Sequence, residues 1–214
     1  MKSLVLKDLY NVGHNMKSTL AVIVLMGVFL TFTTDGNISF YSIFCAIMFS
    51  LMVITSFSYD TLSNWEHYAM ILPITRQDVV RGKFAVLLLL GLSGAVLGLL
   101  VGLLSAAIVP NATLDLGEQA FYMLPGFTIS IFMGSTSIPL IFKFGAEKAR
   151  LMLMGTFVLP ALLVLAVVKL MEHVGIQPTD QMVVTFFSVS PVLVLVWAYL
   201  MYRISCGIFQ KKEL

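Results

Sequence analysis

The sequence predicts an all-α membrane protein with six transmembrane helices and both termini on the cytoplasmic side. Of its 214 residues, 59% are apolar and 11% are charged, and the mean hydropathy is +0.97. An ordinary soluble domain carries about 25% charged residues. A chain this apolar cannot bury its surface in one aqueous core, so we expect the bilayer to be its solvent.

Six apolar runs are long enough to span a bilayer, whose hydrocarbon core of about 30 Å requires about 20 helical residues. Backbone polar groups in lipid must be paired within the segment, so each run is predicted to be a helix. The runs cover residues 18–34, 38–58, 83–109, 120–142, 151–170 and 182–204. Residues 18–214 would therefore form one six-helix domain, preceded by a separate segment, residues 1–17.

The basic residues set the orientation. With six spans, twelve of the thirteen lysines and arginines fall on one side, and only Lys169 falls on the other. Cytoplasmic loops carry an excess of lysine and arginine. A missed or added span would split this tally, so the bias supports both the span count and the cytoplasmic termini.

The segment 1–17 is predicted to be an interfacial amphipathic helix. Leu6, Leu9 and Tyr10 fall on one helical face, toward lipid, and Lys7 falls on another, toward the headgroups. The alternative is an ordered extension of the first span.

The longest cytoplasmic loop, residues 59–81, predicts a short helix followed by a turn. A capping box from Ser63 to Glu66 would start the helix, and Pro73 would end it because proline lacks an amide donor. One face of this helix comprises Trp65, Tyr68, Ala69 and Leu72.

A second cap, from Thr75 to Asp78, would launch the helix that becomes the third span. The loop is thus expected to be folded along the membrane surface. It is either a structural connection or a docking surface for a cytoplasmic partner, and the residues alone do not separate the two.

The other cytoplasmic loop, residues 142–150, is short. Gly145 suits a helix C-cap, and Glu147 and Arg150 are spaced to pair on the first turn of the next helix.

Small residues recur in the third span. Gly94, Gly98 and Gly102 form two overlapping GxxxG motifs, which allow another helix to approach closely. The neighbour could belong to the same chain or to a second one.

The fourth span contains two prolines and a hydroxyl triplet, Ser135, Thr136 and Ser137. Such residues suit kinks and the lining of a pathway, so the triplet is a candidate pathway site. They are also common in plain membrane helices, and both interpretations stay open.

Several function classes are disfavoured. No ionisable residue lies deep in a predicted span, which argues against an ion-coupled carrier. The sequence contains neither an HExxH motif nor a Walker A loop, so no intramembrane metalloprotease or ATP-binding chain is indicated. The net charge of +2 does not suggest a nucleic-acid partner. Energy for work on a substrate would have to enter through the cytoplasmic loops.

Two local motifs carry a resemblance to a known family. The first reads Phe57-Ser58-Tyr59-Asp60, Trp65-Glu66, Leu72-Pro73-Ile74-Thr75-Arg76-Gln77-Asp78-Val79-Val80 and Lys83-Phe84, and the second reads Phe144-Gly145-Ala146-Glu147-Lys148-Ala149-Arg150. With the span pattern, they resemble the permease subunits of type 2 ABC exporters, the ABC-2 family, and the small bacterial members in particular. The resemblance covers essentially the whole chain.

The resemblance implies a half-transporter in the bacterial cell membrane rather than an enzyme. Two permease subunits, identical or different, would pair, and each would dock on a separate ATPase subunit that binds ATP and magnesium. This chain itself would carry no cofactor. The substrate would be hydrophobic or amphipathic, with peptides among the candidates, and would leave the cell.

The resemblance also implies that the loop between spans two and three is a coupling helix seated in a groove of the ATPase. The expected coupling residues are Asp60, Trp65, Glu66, Tyr68, Pro73, Arg76 and Asp78, with Gly145, Glu147 and Arg150 forming a smaller second contact. The alternative from another class is a non-transporting membrane sensor, scaffold or immunity protein.

Overall fold

A computed structural model describes residues 2–33, 41–109, 116–145 and 180–212. It also describes the isolated positions Lys148, Gly155, Leu162, Ala166, Lys169, Leu170 and His173. The predicted fifth span, residues 151–170, and the loop residues Glu147 and Arg150 therefore lie outside the described residues or are reduced to single positions.

The described part of the chain is all-helical. Its helices are α1 (Lys2–Thr33), α2 (Tyr41–Leu62), α3 (Trp65–Ile71), α4 (Arg76–Ile108), α5 (Leu116–Phe144) and α6 (Asp180–Gln210). All except α3 contain a segment long and apolar enough to cross a membrane, which gives five candidate spans among the described residues. These five coincide with predicted spans one to four and six.

Helix α2 is the centre of the bundle and contacts α1, α4 and α5. The glycine row of α4 makes the closest of these approaches. A Cβ atom at Gly94 would lie 2.7 Å from the carbonyl oxygen of Cys45, and one at Gly98 would collide with the Cα of Ser42. The row, including buried Gly102, thus packs within this chain, which settles the choice that the sequence left open.

Helix α5 continues through both of its prolines, Pro125 and Pro139. Hydroxyl groups stabilise its packing, since the Ser50 side chain of α2 donates a 2.8 Å hydrogen bond to the carbonyl of Ser130. Such interhelical bonds matter in a bilayer, where lipid tails provide no hydrophobic force between helices.

Helix α1 shows no boundary near residue 17. Residues 2–33 form one helix, so the N-terminal segment is an extension of the first span, and the expected separate interfacial helix is not found. Within the candidate spans of α1 and α6, 17% of residues are buried, compared with 67% in α5. These two helices lie on the outside of the bundle.

The described helices meet at one end, here called the basic end. Lys7 near the start of α1 contacts Asp60 near the end of α2. The rings of Phe142 and Phe209, at the ends of α5 and α6, have centroids 4.8 Å apart. The start of α4 lies at the same end, because Lys83 also contacts Asp60.

Two glycine substitutions with the same chemistry should have opposite effects. Gly98→Ala places a methyl group against the α2 backbone and should lower stability by about 1–3 kcal/mol. Gly207→Ala, in α6, meets nothing within 4 Å and should be neutral or stabilising by up to about 1 kcal/mol, because alanine favours helix. Thermal unfolding in detergent measures both. Equal losses would contradict the α2–α4 packing.

Candidate functional site

The short helix α3 begins in an unexpected way. Asn64 precedes it in a left-handed conformation, with φ 50° and ψ 34°, and makes no side-chain cap. Asparagine tolerates this region better than most residues. The Ser63 hydroxyl donates backward to the carbonyl of Tyr59 at 2.8 Å, so the predicted capping box from Ser63 to Glu66 is wrong.

The end of α3 and the start of α4 follow the sequence pattern. Leu72, which precedes Pro73, is extended, and α3 stops before it, as expected for a residue before proline. The Thr75 hydroxyl accepts from the Asp78 amide, and the Asp78 carboxylate accepts from the Thr75 amide. This reciprocal capping box, predicted from the sequence, fixes where α4 begins.

Behind α3 lies a buried charge cluster formed by Lys7, Asp8, Asp60 and Lys83. The Lys83 side chain is only 2% exposed. Its Nζ lies 3.0 Å from Asp8 Oδ1, 2.5 Å from Asp60 Oδ2 and 2.7 Å from Ser56 Oγ. The ammonium group donates hydrogen bonds to Asp8 and Ser56 and forms a close ion pair with Asp60.

Lys7 completes the cluster. Its Nζ lies 2.6 Å from Asp60 Oδ1 and 3.1 Å from Asp8 Oδ1. The two Asp60 oxygens therefore bridge two lysines, and the four formal charges sum to zero. The expectation that Lys7 faces the headgroups is wrong, because its ammonium turns inward to these carboxylates.

The cluster joins three helices that are far apart in sequence. Lys7 and Asp8 come from α1, Asp60 from α2 and Lys83 from α4. Removing charges from water is favourable only where each meets a partner and its remaining hydrogen bonds are made. The sequence indicated Asp60 as a site residue but did not show Asp8 as its neighbour. The available signal was that Asp8 is the one acidic residue of the N-terminal segment 1–17.

The inner side of α3 packs onto this cluster. Ala69 is fully buried, and the half-buried Trp65 packs beside it. The Lys7 ammonium lies 4.2 Å from the Trp65 ring centroid, a cation–π contact. Glu66 forms an ion pair with Lys212. Two of the predicted coupling residues, Trp65 and Glu66, thus contact other residues of their own chain.

Arg76 ties the start of α4 to the end of α6. Its Nη1 donates to the carbonyls of Phe209, Gln210 and Lys212 at 2.8–2.9 Å. The last carbonyls of a helix lack intrahelical partners and carry partial negative charge, so a guanidinium group stabilises them well. Arg76 is therefore a helix-capping residue in this fold.

The outer side of α3 is apolar and exposed. Tyr68 is 61% exposed and Ile71 is 82% exposed, while Leu72 and Pro73 beside them are also exposed. With Leu62 at the end of α2, these residues form what we call the α3 outer face. The predicted single face of α3 is therefore divided, with Trp65 and Ala69 inward and Tyr68 and Leu72 outward.

The remaining candidate residues are more dispersed. Gly145 has φ 80°, and its amide donates to the Ile141 carbonyl at 2.8 Å, so it ends α5 as predicted. Ser135 and Ser137 are buried and bond to their own helix backbone. Thr136 accepts from the Trp197 indole at 3.1 Å. The triplet faces packed helices within this chain, and its pathway role stays a prediction.

Metal ligands do not gather anywhere in the described part of the chain. No group of three or more His, Cys, Asp or Glu side chains is placed there to hold an ion.

Breaking the charge cluster should be costly. Lys83→Met leaves two buried carboxylates with one lysine, and we expect a loss of about 3–5 kcal/mol in unfolding free energy. The double variant Lys83→Met/Asp60→Asn restores neutrality and should lose less than Lys83→Met alone. Denaturant unfolding in detergent gives both values, with exposed Lys143→Met as the control. A double variant that loses as much stability as Lys83→Met alone, or more, would refute the pairing.

Loss of the Arg76 cap should loosen the end of α6. Hydrogen bonds to a charged group contribute about 1.5–3 kcal/mol, so Arg76→Ala should speed amide exchange in the last turn of α6 about tenfold or more. The exposed neighbour Gln77→Ala should leave exchange unchanged. Hydrogen–deuterium exchange of residues 205–212 is the measurement, and unchanged protection in Arg76→Ala would rule the cap out.

Comparison with known proteins agrees with this geometry. A family model described as an ABC-2 family transporter protein matches residues 3–210. Searches of curated proteins and of solved structures found no match. The match covers nearly the whole chain, including every described helix almost to its ends, and the chain belongs to the ABC-2 family of membrane transporter proteins.

Proposed function

We propose that this chain is the permease subunit of an ATP-driven exporter, with α3 as the coupling helix on which a separate ATPase subunit docks. Its substrate class would be hydrophobic or amphipathic, peptides included. The family membership makes the chain a transport component. The single observation that carries the finer proposal is α3, a short helix anchored on one side and apolar and exposed on the other.

The α3 outer face is suited to a protein partner. Tyrosine and large aliphatic side chains at the centre of an interface account for most of its binding energy. Tyr68 and Ile71 protrude from a helix whose inner side is held by Trp65, Glu66 and Ala69. A firmly held helix loses little freedom on binding, which favours affinity.

The anchors of α3 offer a route for transmitting motion. Trp65 contacts Lys7, whose cluster joins α1, α2 and α4, and Glu66 contacts Lys212 beyond the end of α6. Displacement of α3 by a closing ATPase would therefore act on the ends of four helices together. In this proposal Asp60, Trp65, Glu66, Arg76 and Asp78 position the coupling helix, and Tyr68, Ile71 and Pro73 contact the partner.

The proposal includes six spans with cytoplasmic termini. Helices α5 and α6 both end at the basic end, so the chain between them has to return to the opposite end before α6 begins. Residues 151–170, the predicted fifth span, are the apolar run available for that crossing. The basic end would then face the cytoplasm.

A second permease subunit would complete the transporter. The exposed apolar residues of α1 and α6 leave large surfaces for lipid and for a partner subunit. The second cytoplasmic contact with the ATPase would come from the loop after Gly145, including Glu147 and Arg150.

A pair of matched substitutions tests the coupling helix. Tyr68→Ala/Ile71→Ala removes exposed side chains of the α3 outer face and should weaken association with the proposed ATPase subunit about thirtyfold or more, the loss expected for central interface residues. Tyr10→Ala/Leu6→Ala, equally exposed on α1, should have no effect. Co-purification and stimulation of ATP hydrolysis are the two readouts.

The outcome separates the proposal from its alternative. If wild-type protein binds no Walker-motif ATPase, a sensor, scaffold or immunity role replaces the transporter proposal. If it binds the ATPase but the α3 variant binds equally well, the docking site lies elsewhere on the basic end.

A further inference from the structure

A groove between α4 and α6 at the basic end is not used by the coupling proposal. Its volume is about 690 Å³, and it is open to the outside of the bundle. Its polar lining includes two arginines, Arg81 from α4 and Arg203 from α6, together with the side-chain amides of Gln77 and Gln210.

The two arginines face only one carboxylate in the described part of the chain, and that ion pair is long. The Arg81 Nε donates to the Tyr202 hydroxyl at 3.0 Å, and its nearest carboxylate, Asp78, lies 3.9 Å away. The exposed Arg203 has no ion pair with any residue in the described part of the chain. The mouth of the groove therefore carries an excess of positive charge.

A smaller apolar slot adjoins the groove, farther from the start of α4 and the end of α6. The slot, of about 190 Å³, shares Phe84, Leu88 and Tyr199 with the groove and extends to Leu195 on α6 and Ile131 on α5. From Gln210 to Leu195 the α6 axis advances about 22 Å, at 1.5 Å per residue. That length accommodates a headgroup and the upper part of an acyl chain, since half of a bilayer core is about 15 Å.

We propose that this groove binds an anionic phospholipid of the cytoplasmic leaflet, with the phosphate between Arg81 and Arg203 and an acyl chain along Phe84, Leu88 and Leu195. Arginine pairs with phosphate through two parallel hydrogen bonds, and the order of charges before apolar side chains matches the order of a phospholipid. A second copy of this chain is less suited to fill the groove, because the arginine pairs of the two copies would meet at the interface and repel each other. The bound lipid stabilises the α4–α6 seam and is distinct from the transported substrate.

The test uses the full chain purified in detergent and titrated with phosphatidylglycerol or phosphatidylcholine, with bound lipid counted by native mass spectrometry. We expect one phosphatidylglycerol to bind more tightly than phosphatidylcholine. Arg81→Gln/Arg203→Gln should weaken phosphatidylglycerol binding about thirtyfold, because each basic residue near anionic lipid contributes about a fivefold factor. Phosphatidylcholine binding should change little.

Two further variants make the test specific. Lys17→Gln/Lys143→Gln removes the same charge from exposed positions on α1 and α5 outside the groove and should leave binding unchanged. Gly207→Leu adds an apolar side chain to the groove lining at a position where a Cβ meets nothing within 4 Å, and it should reduce binding of both lipids.

Three results would overturn the proposal. They are equal binding of the two lipids to wild type, an equal loss in the lysine control, and a change from dimer to monomer in the arginine variant without loss of lipid. The last result would make the groove an interface between copies. All variants must match wild type in thermal unfolding. If the arginine double variant does not, Arg203→Gln alone replaces it. An unchanged phosphatidylglycerol affinity in Arg203→Gln would then contradict the proposal.

Discussion

The pairing of Asp60 with Lys83 and Lys7 is the constraint on which the basic end of this protein depends. A carboxylate this deeply buried requires both lysines to arrive at fixed positions, one from α1 and one from α4. Asp8 balances the second positive charge. Because an uncompensated buried charge costs several kcal/mol, the cluster fixes the relative heights of three helices that otherwise present interchangeable apolar surfaces to one another.

Helix α3 owes its placement to this cluster. Trp65 lies over Lys7, and the glycine row of α4 holds α2 and α4 at backbone distance on the other side of the cluster. At the far end of the site, Arg76 donates to the last carbonyls of α6 and to that of Lys212, and Glu66 forms an ion pair with Lys212. Residues of the sequence motifs such as Asp60, Trp65 and Arg76 thus make their contacts inside this chain, and the outward-facing positions are hydrophobic residues without distinctive chemistry.

Local features of the site were predictable where they depend on neighbours in sequence. The capping box from Thr75 to Asp78, the helix stop before Pro73 and the C-cap at Gly145 all follow from residues within four positions of each other. The capping box at Ser63 failed because the chain leaves α2 through a left-handed Asn64, and the Ser63 hydroxyl bonds back into α2 instead. Both arrangements satisfy the same serine, so the local pattern could not choose between them.

The sequence by itself determined the membrane environment, the approximate positions of five candidate spans, and the family, because hydropathy and short motifs are properties of contiguous residues. Only the tertiary structure decided that Lys7 and Asp8 turn inward, that Trp65 is half-buried while Tyr68 is exposed, and that the glycine row packs on α2. Lys83 and Asp8 are 75 residues apart. A charged residue near a span end looks the same in sequence whether it meets water, a headgroup or a buried partner. The difference arises only when packed helices bring a carboxylate within reach.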